Sequence, residues 1–420
     1  MGLTAGGLNG RRFRIDTPLP DGFRDLFLEA VRGNAFVDDD DASDPEPRLG
    51  WVNVFDAASS EFELNDLLVD RYLSLSLRAD TKKIQAAYLK IALDKRVAAV
   101  KAERGIEKLT KVERELIEEA FTSELLRRAL PTVATTDVCW DVLTGHVTVF
   151  ATSEGALEQV RQLMKETFTV AIRPERTIDW LRDKLSPEEL TDRLRALPGG
   201  PRSGEDPLEG HELALGSDFL TWLWLQSESS DGLFRVVEAA PAPPPAADAE
   251  DGEAGWDDVT ESLRNADLTL WIDSRLKLRE LHDEDPSTTI LLGASPSTTP
   301  EARQNLHGGK RPVEASVGLK INDLECSMIL MTTPEGVRIS GLKASFAVKD
   351  GRDEKLLERM VVLDLIQTTL VRLYQQFFLA RTSPAWQDRV DRWIAEEEEG
   401  SEDAPIEPVA RPAEPDLSIA

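Results

Sequence analysis

The chain has 420 residues, 41% of them hydrophobic, 24 prolines, two cysteines and a formal net charge of −28. That length and composition suit two or three domains with ordinary cores, and Cys139 and Cys326, far apart in apolar runs, read as free thiols in a reducing compartment rather than a disulfide framework. No hydrophobic run follows a charged start, and the longest apolar stretch, 360–380, is broken by Asp364, Gln367 and Arg372, so neither a secretory leader nor a membrane span is expected and the chain reads as cytoplasmic.

In chain order, a strand is predicted over Arg11–Ile15 and a helix over Asp21–Val31, with Phe23, Leu26, Phe27 and Val31 on one face. An acidic loop follows at 36–47, then Gly50-Trp51-Val52 and an alternating strand at Arg71–Leu77. Residues 82–130 read as two helices joined by a turn. The first spaces Ile84, Tyr88 and Ile91 helically and is interrupted at Gly105. The second opens with Thr110 and Glu113, the spacing of a capping box, and places Leu116, Ile117, Ala120, Phe121 and Leu125 on its apolar face. A hairpin is predicted from 138–142 and 147–151 around Thr144-Gly145. Ser153 caps the next helix, Val170–Ile172 reads as a strand, and Ser186-Pro187 opens another helix ahead of the aromatic run Phe219–Leu225. Beyond a Pro/Ala/acid segment, 268–272 and 276–281 look like a hairpin and Thr299-Pro300 starts a short helix ending at Gly308-Gly309. Strands follow at 315–321, 325–332 and 337–343. The last element is a helix over 354–380 with Leu357, Met360, Leu363, Ile366, Leu370, Leu373, Phe377 and Phe378 inward.

Strands interrupted by helices, without regular βαβ alternation, predict an α+β fold: mixed sheets, a protruding helical-hairpin arm and a long C-terminal helix. The organisation expected is an N-terminal α+β region from 1–81 and 131–238, the arm at 82–130, an acidic Pro/Ala linker at 239–258, a C-terminal α+β region at 259–394 and an acidic tail at 395–420. Loop, linker and tail carry −6, −6 and −8, so −20 of the −28 lies in segments too poor in large apolar residues to offset chain entropy; these are expected to be disordered.

Enzyme chemistry finds little support. His146, His211, His282 and His307 do not sit at metal-ligand spacing, and neither cysteine has a Cys or His neighbour. There is no P-loop, no dinucleotide fingerprint and no Gly-x-Ser-x-Gly; GLTAGG near the start follows no strand. The chain is therefore expected to be no enzyme and to need no metal or cofactor.

The arm departs from the rest, with twelve Lys/Arg against eight Asp/Glu. The bland explanation is a solvated helix pair laced by (i, i+4) ion pairs. Against it, the acids gather in the second helix, while the bases follow the first helix, the turn and the end. A cationic rim on an acidic protein points to a polyanion such as DNA. Without interleaved aromatics, its contacts would go to phosphates and carry little sequence information.

The order of elements resembles the RdgC family of bacterial recombination-associated proteins. The resemblance rests on Ala35-Phe36, Gly50-Trp51-Val52, the run KLTKVER at 108–114, LLRRAL at 125–130, the Trp140 hairpin, and TPEARQNLHGGK at 299–310. Phe219–Trp224 is similar to a segment of a divergent RdgC-like branch. The resemblance implies a ring-shaped homodimer that encircles duplex DNA with little sequence preference. It also implies restraint of RecA through competition for DNA, and a place at the nucleoid. It carries Lys108, Lys111, Arg114 and Arg128 over as phosphate-contacting or arm-tip positions; local charge adds Lys101 and Arg127. Three departures weaken the expected grip: Leu130 stands where the family often has Phe, Gly293–Ser297 lacks the family's basic residues, and the acidic loop, linker and tail are additions. The alternative is an interaction scaffold of the same fold, whose acidic segments mask or replace DNA binding.

Overall fold

The computed structural model describes residues 2–16, 22–38, 47–182, 184–197, 211–229, 233–235, 267–281, 285–322, 324–348 and 350–395. Most of the acidic loop, the whole linker and the tail beyond Ala395 lie outside the described residues. The fold is α+β, with two antiparallel sheets.

The first sheet contains β1 (Arg11–Arg14), β2 (Arg48–Val52), β3 (Leu68–Val69), β4 (Tyr72–Lys82), β5 (Pro131–Asp141), β6 (His146–Val149) and β7 (Arg173–Pro174). Its order is β2-β4-β5-β6-β1-β7, with β3 on β4. Alternation in β4 explains why this sheet is covered on both faces. Leu73, Leu75, Leu77 and Ala79 join a core with α1 (Phe23–Gly33) and α5 (Glu154–Phe168), to which α1 contributes Phe27 and Val31 and α5 contributes Leu157, Val160 and Leu163. Tyr72 points the other way, into a second core shared with the C-terminal half. In the first core Phe27 stacks on Phe168 with centroids 5.0 Å apart, and the Trp51 indole donates to Thr167 Oγ1 at 2.7 Å. Gly50 is required at its place in β2, because a Cβ there would meet the backbone of Phe36.

A four-residue helix α2 (Leu64–Leu67) precedes β3, and α3 (Ala86–Arg104) and α4 (Lys111–Arg128) are inserted between β4 and β5. Those strands pair along their full length, from Tyr72 opposite Asp141 to Lys82 opposite Pro131. The helical arm is thus the connection of one long β-hairpin and projects from the sheet where that pairing ends.

The second sheet contains β8 (Leu233–Arg235), β9 (Asp267–Arg279), β10 (Thr288–Leu292), β11 (Arg311–Ile321), β12 (Leu324–Thr333) and β13 (Gly336–Ala344). Its order is β10-β9-β11-β12-β13, with β8 on β9. Between the sheets run a 3-10 helix (Thr177–Leu181), α6 (Pro187–Arg195) and α7 (Glu212–Ser229); α7 packs on β9, β11, β12 and β13. A short α8 (Pro300–His307), the long α9 (Arg352–Arg381) and α10 (Trp386–Ala395) complete the chain. Of the eight residues predicted inward on the last long helix, seven are buried and Leu357 is half-buried.

Arg71 fastens α9 to the first sheet. Its Nη2 donates to Asp364 Oδ2 at 2.7 Å, its Nε lies 3.3 Å from Asp141 Oδ2, and the Tyr72 hydroxyl donates to the same Asp364 carboxylate. Burial pushes the Tyr72 hydroxyl far above its ordinary range, and the Asp364 charge adds to the shift, so Tyr72 stays neutral, donating to Asp364 while accepting from Arg71 Nη2 at 2.7 Å.

Several predicted elements are corrected. In place of the hairpin expected from 268–272 and 276–281, Asp267–Arg279 form one strand: Asp273-Ser274-Arg275 bulges opposite Ser316, and Arg275 pairs across the sheet with Glu314. The strand expected at 170–172 lies at Arg173–Pro174, pairing with Arg14 and Phe13, while Val170 and Ile172 supply core side chains. Lys82 closes β4 instead of opening the first arm helix. In α4, Leu116 and Ala120 are exposed; the buried side chain is Leu126, with Ile117, Phe121 and Leu125 half-covered.

Candidate nucleic-acid interface

The arm is built to hold its turn in place. Thr110 Oγ1 accepts from the Glu113 amide at 3.3 Å, and a Glu113 carboxylate oxygen accepts from the Thr110 amide at 3.0 Å. The Thr110 hydroxyl also donates to that carboxylate at 2.7 Å, and the two donations from Thr110, backbone first and then hydroxyl, hold the Glu113 carboxyl below its ordinary value, with Arg104 assisting. Gly105 ends α3 in the left-handed region at φ 67°, where it costs no strain, and its amide donates to the Lys101 carbonyl.

All six predicted contact residues lie on the arm. Lys101 is in the last turn of α3, Lys108 in the connecting turn, Lys111 and Arg114 in the first turns of α4, and Arg127 and Arg128 in its last turn. They form two groups, not one. Thirteen residues separate Arg114 from Arg127, so at 1.5 Å per residue the tip group and the base group stand about 20 Å apart. A duplex carries one charge per roughly 1.7 Å of axis, so the two groups are spaced for different phosphates along one backbone.

Local pairing divides the cations further. Lys111 sits 3.8 Å from Glu115, Arg128 2.9 Å from Glu124 and Arg104 3.6 Å from Glu113. These pairs are solvated: Lys111 is 90% exposed and Arg128 75%. Contacts of that kind are worth under about 1 kcal/mol and yield easily to a phosphate. Among the described residues, Lys101, Lys108, Arg114 and Arg127 make no ion pair. The same holds for Lys83, just ahead of α3, and for Lys90, Lys95 and Arg96 along it, which extend the free charge from tip to base. Lys82 is different: it is buried, and its Nζ donates to the Arg127 carbonyl at 3.4 Å, bracing the base of the arm. The basic count along 82–130 had no means of separating that lysine from the exposed ones.

The arm also shows apolar surface. Tyr88, Ile91, Val112 and Leu116 are exposed, and Leu130 is 89% exposed at the base. Two antiparallel helices bury only the seam between them, so an apolar stripe wider than the seam stays in solvent.

No group of three or more His, Cys, Asp or Glu among the described residues is placed to hold a metal ion. No helix among them is long and apolar enough to cross a membrane. Fold and arm together define an α+β protein that carries a basic helical finger at the end of a long β-hairpin. Residues 32–191, a span that contains the whole arm, match the family described as "Putative exonuclease, RdgC". No curated protein matches it.

Proposed function

We propose that this protein binds DNA without sequence preference, as a ring-shaped homodimer around the duplex, and modulates RecA-dependent recombination by competing for DNA in the cytoplasm, at the nucleoid. The observation that carries the reading is the run of free cations on a projecting arm, in a chain whose acidity is concentrated elsewhere. The match to the RdgC family model supports the same direction, since the arm lies inside the matched span. Lys101, Lys108, Lys111, Arg114, Arg127 and Arg128 are the proposed phosphate contacts, acting through charge rather than base recognition. The test is retention of a labelled duplex in a gel-shift series. Wild type should retain duplexes of unrelated sequence alike, and Lys108→Glu/Lys111→Glu/Arg114→Glu should retain none. Shortening of an end-labelled duplex with Mg2+ present would instead favour the nuclease activity in the family's description.

A second reading has its own support. The −20 of loop, linker and tail exceeds the arm's net positive charge, so these segments are able to compete for the same cations. Deleting residues 396–420 distinguishes the two: masking predicts tighter duplex binding, and an independent tail predicts no change.

A further inference from the structure

A cleft lies at the seam of the two sheets, between the start of β1, β7, the β12–β13 turn and α9. Arg12, Glu175, Trp180, Arg338 and Gln367 line it. Two of these have unmet capacity. Gln367, only 9% exposed, makes no side-chain hydrogen bond among the described residues. Arg338 is half-buried; among the described residues its side chain meets the Met331 sulfur at 3.2 Å, a weak acceptor, and no carboxylate. The neighbouring carboxylate is already shared: Glu175 lies 3.3 Å from Arg12 Nε and 3.1 Å from His146 Nε2. Glu335, on the turn at the rim, makes no ion pair with Arg338.

We propose that this cleft binds a small phosphate-type oxyanion, with Arg338 and Arg12 as its charge partners and the Gln367 carboxamide as a neutral donor. A half-buried guanidinium without a carboxylate, beside a carboxamide without a protein partner among the described residues, leaves donors open to an acceptor at the cleft. Oxyanions meet both needs through short charge-assisted hydrogen bonds. Size selects among them. The cavity volume is about 70 Å³, room for about two waters, which suits one tetrahedral ion or the phosphoryl end of a nucleotide but no whole nucleotide. A bound ion would touch β1 of the first sheet, β13 of the second and α9 at once, so its occupancy should stabilise the joint between the halves.

The experiment is thermal unfolding of the full chain titrated with orthophosphate at low millimolar levels, against chloride at matched ionic strength, with a nucleoside 5′-monophosphate as a parallel arm. A saturable rise in Tm is expected. Arg338→Met and Gln367→Leu should each raise the half-saturating concentration by at least about tenfold. The Lys108→Glu/Lys111→Glu protein should behave as wild type, because the arm is elsewhere. Response to orthophosphate alone identifies the free ion, and an equal response to the monophosphate identifies a phosphomonoester. If Arg338→Met fails to fold, Gln367→Leu decides alone. An unsaturable rise, a rise unchanged in both cleft variants, or a rise lost in the arm variant would overturn the proposal.

Discussion

Arg71 shows how much one side chain carries at the joint between the halves. Its partners Asp141 and Asp364 are both carboxylates, and Asp141 is buried with it. Removing the guanidinium leaves Asp141 without its counter-charge in a dry setting. Arg71→Met should therefore cost about 3–5 kcal/mol in urea unfolding, against well under 1 kcal/mol for a solvated pair such as Arg128 with Glu124. A loss below about 1 kcal/mol would show that water reaches the site.

His146 and Glu175 give a second residue-level expectation. Burial, then the charge of Arg12, hold His146 below its ordinary value of 6.5. Burial alone would raise Glu175, but Arg12 and then His146 outweigh it and hold its pKa down at about 2, from an ordinary 4.5. Both folded-state values lie below the unfolded ones, so the folded chain binds fewer protons and stability falls as pH falls. The histidine contribution is lost first, below pH 6.5, and the glutamate contribution from 4.5 down towards 2. Glu175→Gln should flatten the second part of a stability-versus-pH curve and deepen the first, because the Glu175 carboxylate is what holds the His146 pKa up against burial and Arg12.

Among elements, the arm is the clearest case of local sequence deciding local structure. Thr110 and Glu113 form the capping box that their spacing predicts, and Gly105 ends α3 as its type predicts. Thr110→Ala should cost the arm about 1 kcal/mol. Hydrogen exchange should then quicken at the Glu113 amide and the α3–α4 turn, while β4 and β5 keep their protection. Legibility stops where partners are distant. The phase of α4 could be read, but not how narrow a stripe of it is covered, because that depends on a single facing helix. The polar triplet 273–275 has the composition of a turn, and only its partners on β11 make it a bulge. β10 and α10 are short, and their pairing with β9 and packing through Trp393 against Trp224 carry no periodic signal of their own. The seam cleft gathers residues from 12 to 367, a convergence with no trace in local spacing.

For the whole molecule, net charge and function point in opposite directions until the charge is divided by region. A protein of −28 should be repelled by DNA at long range, and more so at low salt. A locally cationic surface such as the arm can reverse this at contact. The base and tip groups, about 20 Å apart, would then engage separate phosphates. Light scattering should give twice the monomer mass of 46.6 kDa if two such arms close a ring; a monomer that still binds duplex would keep the interface and discard the ring.

The most direct measurement is the salt dependence of duplex affinity for wild type beside Lys108→Glu/Lys111→Glu/Arg114→Glu. With roughly four to eight phosphates engaged, log affinity should fall against log salt with a slope of about −4 to −7, and the arm variant should lose measurable binding at ~50 mM salt. A wild type that ignores salt, or an arm variant that binds as well as wild type, would contradict the assignment of DNA contact to the arm.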